Sequence, residues 1–178
     1  IAEERAKSSL SSDATKPLKG EPIQALPLKV ALDERKVALG HKLFFEKLLS
    51  GDETMSCASC HDLTKGGTDQ AKVATGIRGQ QGPINSPSVY NASYNLAQFW
   101  DGRAKDVEEQ AGMPILNPVE HNIPSQEFLV NRLKGIEKYQ QLFKVVFPNQ
   151  KDPITYQNLT NAIGAFERKL TPISRFDK

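Results

Sequence analysis

The 178-residue sequence predicts a mainly α-helical domain, and three observations carry that expectation. Apolar residues recur at helical spacing through Val37, Leu39, Leu43, Phe44 and Leu48, and again along stretches ending in Leu133, Val146 and Leu170. Residues suited to helix ends frame them: Asp33, Ser125 and Thr155 cap starts, while Gly135, Pro148 and Pro172 close ends. Convincing runs of alternating apolar and polar residues are missing, so strands should be few and short or absent. No internal repeat is visible.

Taken in order, residues 1–30 read as an extended arm. Ser8, Ser9, Ser11 and Ser12 precede Pro17, Gly20, Pro22 and Pro27, a mixture that favours turns and extended backbone. Leu10, Leu18, Ile23 and Leu26 are spaced to pin the arm to a body, as a strap; a loosely held leader is the plain alternative. Asp33 then caps the first core helix, expected to end near Leu49-Ser50-Gly51-Asp52. His41 falls on its solvated face.

Cys57-Ala58-Ser59-Cys60-His61 comes next and organises the rest of the chain. Two cysteines three apart with a histidine directly after the second form the attachment pattern of a c-type haem. One helical turn points both thiols at a porphyrin edge, where they form thioethers, and leaves His61 as the proximal iron ligand. A thioredoxin-like redox pair shares the C-x-x-C spacing but belongs near a βαβ pattern, which is not visible here. A structural zinc site needs four ligands, and beyond this pentapeptide only His41 and His121 are available. With both cysteines committed to one haem c, none is left for a disulfide.

The following stretch lacks periodicity and holds Gly66, Gly67, Gly76, Gly79, Gly82, Pro83 and Pro87. Loops of this length in a compact domain are usually functional or disordered, and beside a haem motif they are expected to wrap the cofactor. Ala104–Gly112 forms a short helix carrying Val107 and Gln110, broken by Pro114 and Pro118. Three helices follow: one from Ser125 to Gly135, one through Ile136, Tyr139, Leu142, Phe143 and Val146, and one from Thr155 through Leu159, Ile163, Phe166 and Leu170. The expected fold is a mainly α, cytochrome c-like haem domain over residues 31–178, with long Gly/Pro-rich loops.

Composition narrows the function classes. Lys plus Arg number 23 against 21 Asp plus Glu, with the signs mixed, so nothing favours nucleic acid. No apolar run approaches the length of a membrane span. The chain opens at Ile1 without methionine or a signal-like apolar region, as a processed or trimmed product would. Haem is normally attached outside the cytoplasm, so a periplasmic home is expected.

Several stretches together resemble the bacterial dihaem cytochrome c peroxidases, the family that includes the tryptophan-modifying dihaem enzyme of methylamine metabolism. They are Leu39-Gly40-His41-Lys42-Leu43-Phe44-Phe45, Leu49-Ser50-Gly51-Asp52, Ser56 to His61, Gly82-Pro83-Ile84-Asn85-Ser86-Pro87, Gln98-Phe99-Trp100-Asp101-Gly102-Arg103, Ile115-Leu116-Asn117-Pro118-Val119-Glu120 and Ala165-Phe166-Glu167-Arg168. The resemblance covers about residues 30–177 and is to the N-terminal, peroxidatic half of such enzymes. It implies reduction of hydrogen peroxide with electrons from a second haem domain or a donor cytochrome. His61 then corresponds to the proximal ligand, Glu120 to the distal carboxylate, Gln110 to the distal amide, Trp100 to the indole between the haems, and Asn85 to a residue helping to bind calcium. Read without the resemblance, these last four are a surface carboxylate, a polar helix residue, a core aromatic and a turn former.

Two departures from the family pattern matter. Ile77 stands where many members carry a histidine that closes the iron, and isoleucine cannot ligate; the resemblance therefore implies an open iron unless His121 or Met113 takes the sixth position. The sequence also stops at Arg175-Phe176-Asp177-Lys178, where the family usually continues into a second haem domain, so a separated domain lacking that haem is expected. Two alternatives stay open: a monohaem electron-transfer cytochrome, with a methionine or histidine closing the iron, and a haem sensor taking a small diatomic ligand.

Overall fold

Asp33 opens the first helix as expected, its Oδ1 accepting the Arg35 amide at 3.0 Å. In the computed structural model, which describes residues 25–27, 29–175 and 177–178, this helix, α1, runs Glu34–Phe44. It ends earlier than expected, because the Glu46 carboxylate caps a separate 3₁₀ turn, Lys47–Leu49, by accepting the Leu48 amide at 3.2 Å. The same carboxylate accepts the Tyr139 hydroxyl, so the bend is anchored and Leu49 turns fully inward. His41 is exposed, as expected, with its ring 5.0 Å from those of Phe45 and Phe166.

The remaining helices are α2, Cys57–Cys60; α3, Val107–Leu116; α4, Gln126–Lys134; α5, Glu137–Val146; and α6, Tyr156–Lys169. Among the described residues there is no strand, only isolated bridges joining Thr75 to Gln81 and Gln98 to Ala104. The mainly α expectation holds.

Helix α3 corrects the sequence reading at both ends. Asp106 caps it by accepting the Glu109 amide at 2.8 Å, so Ala104 and Lys105 lie outside. It then continues through Pro114 rather than breaking. Proline brings no N–H to the Gln110 carbonyl, a local cost that packing offsets. Ile115 is fully buried, the Tyr156 hydroxyl donates to the Gly112 carbonyl at 2.5 Å, and the Ile123 amide donates to the Ile115 carbonyl at 3.0 Å.

The core lies where α1 and α6 cross, with α3, α4 and α5 packed around them. Gly40 makes the crossing possible: a Cβ there would lie 1.8 Å from the Ala162 carbonyl oxygen. The Phe44 and Phe166 rings meet at 5.2 Å in an edge-on arrangement. Phe44, Phe143, Leu129 and Leu133 are fully buried, each stabilising the fold by about 1.5–3 kcal/mol through the apolar surface removed from water.

Leu32–Thr171 forms one compact unit, and the segments flanking it form a smaller one. Within the smaller unit, Asp177 accepts the Leu26 amide and the Ser174 amide, both at 2.8 Å, and the Ser174 hydroxyl at 2.6 Å. Leu10, Leu18 and Ile23, the other expected anchors of the arm, lie outside the described residues.

Candidate haem site

The attachment pentapeptide folds as one tight turn. The Ser56 amide donates to the Ser59 hydroxyl at 3.0 Å, and the His61 amide donates to the Cys57 carbonyl at 3.0 Å. This turn gives both cysteines, which are free thiols, a common direction at helical i, i+3 spacing. Burial pushes the Cys57 thiol up to about 12 and raises Cys60 as well. Neither is poised as the reactive thiolate of a redox-active pair. His61 Nδ1 sits 3.2 Å from the Gly67 carbonyl oxygen. An N–H at Nδ1 satisfies that carbonyl and leaves Nε2 free to ligate, the arrangement usual for a histidine on a metal.

The glycine-rich loop braces the opposite part of the site. A Cβ on Gly76 would fall 2.0 Å from the Val119 carbonyl oxygen, and the Ile77 amide donates to the Glu120 carbonyl at 2.9 Å. Ile77 itself is fully buried behind this contact. The Glu120 amide turns back onto the Asn117 carbonyl at 3.1 Å, and its Oε1 accepts the Asn117 amide group at 2.7 Å.

These elements line a cavity to which Cys57, Cys60, His61, Gln110 and Glu120 all contribute. Five sequence-predicted residues, from three separate stretches of the chain, thus share one cavity. Ala111, Pro114 and Ile115 supply apolar wall. Paired thiols, a histidine with a free Nε2 and apolar walls suit a flat macrocycle, so the residues present fit a covalently held haem. Burial raises the Glu120 carboxyl above its ordinary value, opposed by the Arg103 guanidinium and the Asn117 hydrogen bond. Arg103 is itself held by Asp101 at 2.9 Å and lies 3.5 Å over the Phe99 ring.

Trp100 and Asn85 do not line this cavity. Trp100 is 63% exposed, and its Nε1 donates to the Asn85 carbonyl at 3.2 Å, so these two predicted residues meet each other elsewhere on the domain. Met113 is half-buried and also outside the cavity lining. His121 does line it, buried, with Nδ1 2.9 Å from the Leu49 carbonyl oxygen. Glu167 lines it too and was assigned no role from sequence. Its signal was present: it lies four residues after Ile163, on the apolar stripe of α6.

A helical domain that turns two cysteines and an adjacent histidine into one cavity is, by class, a c-type haem domain. The chain belongs to the di-haem cytochrome c peroxidase family, whose profile matches residues 34–178. It is 42% identical over 179 residues to cytochrome c peroxidase Ccp of Escherichia coli K12, covering 100% of this chain and 38% of that protein. It is 47% identical over 161 residues to cytochrome c551 peroxidase of Nitrosomonas europaea, covering 89% of this chain and 47% of that one. A solved MauG-like protein associated with microbial copper homeostasis superposes with a TM-score of 0.75 at 30% identity, over 89% of this chain and 47% of that chain. The chain spans less than half the length of these relatives. Among the described residues, no helix is long and apolar enough to cross a membrane.

Proposed function

We propose that this chain is the peroxidatic haem domain of a periplasmic cytochrome c peroxidase. It would hold one haem c through Cys57 and Cys60, with His61 Nε2 toward the iron, and reduce hydrogen peroxide to water using electrons from a second haem or a donor cytochrome. The observation that carries this reading is the convergence of Glu120 and Gln110 on the cavity that contains the attachment motif. The bound haem would supply the redox-active iron through which the donor's electrons reach peroxide. Glu120 removes the proton from one peroxide oxygen and delivers it to the oxygen that leaves as water. Gln110, which both donates and accepts, orients the peroxide. The hydrogen bond from Asn117 aims the Glu120 carboxylate, and the Ile77 amide holds its backbone.

Trp100 fits an electron relay because its indole is exposed and fixed by the Asn85 carbonyl, and Asn85 would share in a calcium site at that edge. Trp100→Phe should leave the single-turnover reaction with peroxide unchanged and slow steady-state turnover with the electron donor. Stopped-flow and steady-state assays on the haem-loaded protein separate the two.

The electron-carrier reading weakens because Met113 is not part of the cavity wall. It survives through His121, which lines the cavity with its Nδ1 already engaged. Absorption and EPR spectra of the fully oxidised protein, before and after stoichiometric hydrogen peroxide, decide between them. A high-spin ferric signal that changes with peroxide is expected for the peroxidase. A low-spin signal indifferent to peroxide would replace that reading with the carrier.

A further inference from the structure

Glu167 occupies a position where an apolar residue would be the ordinary choice. It is 5% exposed on the face of α6 that also buries Leu159, Ile163 and Phe166. Glu167 lines the haem cavity together with Cys57 and Gln110, and its charge acts on the Cys57 thiol, yet among the described residues it makes no side-chain hydrogen bond or salt bridge. The adjacent cation is already committed: Arg168 donates through Nε and Nη2 to the two carboxylate oxygens of Glu108 on α3, at 2.7 and 2.8 Å. The charged and titratable groups acting on Glu167 are Glu108 from α3, Arg168 from α6 and the Cys57 thiol from α2, while Cys60, His61, Glu120 and His121 line the same cavity. Haem attachment would turn that thiol into a neutral thioether. Tyr156, also near Cys57, stays neutral with its hydroxyl on the Gly112 carbonyl.

An unpartnered carboxylate in such a place costs several kcal/mol, so the group is held neutral or answered by positive charge inside the cavity. Burial, then Glu108, push it up to about 8, into the range where small changes of field switch its protonation. With haem bound, a change in the oxidation state of its iron would change the field at this carboxyl.

We propose that Glu167 is a redox-linked proton site, its carboxylate taking up one proton from solvent as the haem held by Cys57, Cys60 and His61 takes up one electron. The inference rests on the haem reading above. The electron comes from the donor haem or cytochrome, an O–H bond forms on Glu167, and no bond to iron is made or broken. Reduction removes one positive charge from the cavity, and in a low-dielectric setting the unpaired carboxylate then favours its neutral form. Oxidation releases the proton again. Paired charge and proton entry keeps the net charge of the buried cavity constant through each electron transfer.

The test is a potentiometric titration of the haem-loaded protein across about pH 5–10, spanning the carboxyl and imidazole ranges, on the unaltered chain, Glu167→Gln, Glu167→Asp and Glu120→Gln. The midpoint potential of the unaltered chain should fall as pH rises through neutrality, toward the one-proton limit of about 59 mV for each tenfold change in proton concentration. The slope should vanish in Glu167→Gln and persist in Glu167→Asp and Glu120→Gln. Redox difference infrared spectra should show a protonated carboxyl band appearing on reduction, absent in Glu167→Gln. An unchanged slope in Glu167→Gln, or a slope lost in Glu120→Gln instead, would overturn the proposal. Should Glu167→Gln fail to load haem, the infrared spectrum of the unaltered chain decides, and no carboxyl protonation on reduction overturns it. Failure of the haem reading is distinct: the unaltered chain would then show neither a haem spectrum nor the mass of a covalent adduct.

Discussion

Glu120→Gln is expected to slow the reaction of the haem-loaded domain with hydrogen peroxide by about 10²–10⁴-fold, the usual contribution of a positioned acid-base group. Glutamine keeps the shape and can still accept from Asn117, so the cavity and the haem spectrum should hardly change. What is lost is the ability to carry a proton between the two peroxide oxygens. The pH profile gives the sign. The carboxylate is the form that accepts the proton, and burial raises its pKa above the ordinary carboxylate value. The rate of the unaltered chain should therefore decline on the acid side at a higher pH than a solvent-exposed glutamate would give, and Glu120→Gln should lose that limb. Stopped-flow kinetics across pH read both effects. A variant that reacts as fast as the unaltered chain removes Glu120 from the mechanism.

Gly40→Ala should destabilise the fold strongly. The added Cβ would lie 1.8 Å from the Ala162 carbonyl oxygen and 2.9 Å from the Phe166 Cβ, and backbone on α6 cannot step aside without moving the helix. Overpacking of this kind costs about 3 kcal/mol at the upper end of its usual range. In a domain of this size that lowers Tm by roughly 6–12 °C. Ala38→Ser, two residues earlier on the exposed face of α1, should change stability by no more than about 0.5 kcal/mol. Thermal melts of the two variants side by side separate the crossing point from helix propensity. Equal melting temperatures would mean the α1–α6 crossing is not held by contact at Gly40.

Much of the site was legible in the order of the amino acids. The i, i+3 cysteines with His61 define their own geometry, because a single helical turn relates them. Gln110 and Glu120 were identified through family resemblance, not through spacing, since ten residues and two prolines separate them. Their convergence depends on α3 passing through Pro114 and on the Asn117 turn folding Glu120 back, neither of which local preference indicates. Proline opposes helix locally, and only the burial of Ile115 and the Tyr156 hydrogen bond outweigh it. Trp100 read as a core aromatic when taken alone, yet it is exposed and bonded to Asn85. They stand fifteen positions apart in the sequence, and no periodicity reports such a meeting.

The sequence by itself determined the helical class, the helix starts at Asp33, Ser125 and Thr155, and the haem-attachment turn. These depend on contacts within a few residues: a cap and the amide it accepts, an apolar stripe, two thiols on one turn. Tertiary structure alone decided where α1 ends, how α3 survives its proline, and that Glu167 lies unpaired in the haem cavity. Each of those turns on competition between a local preference and a partner far along the chain, such as Tyr139 for Glu46 or Glu108 for Arg168. Burial and pairing at that range are set by how whole helices pack.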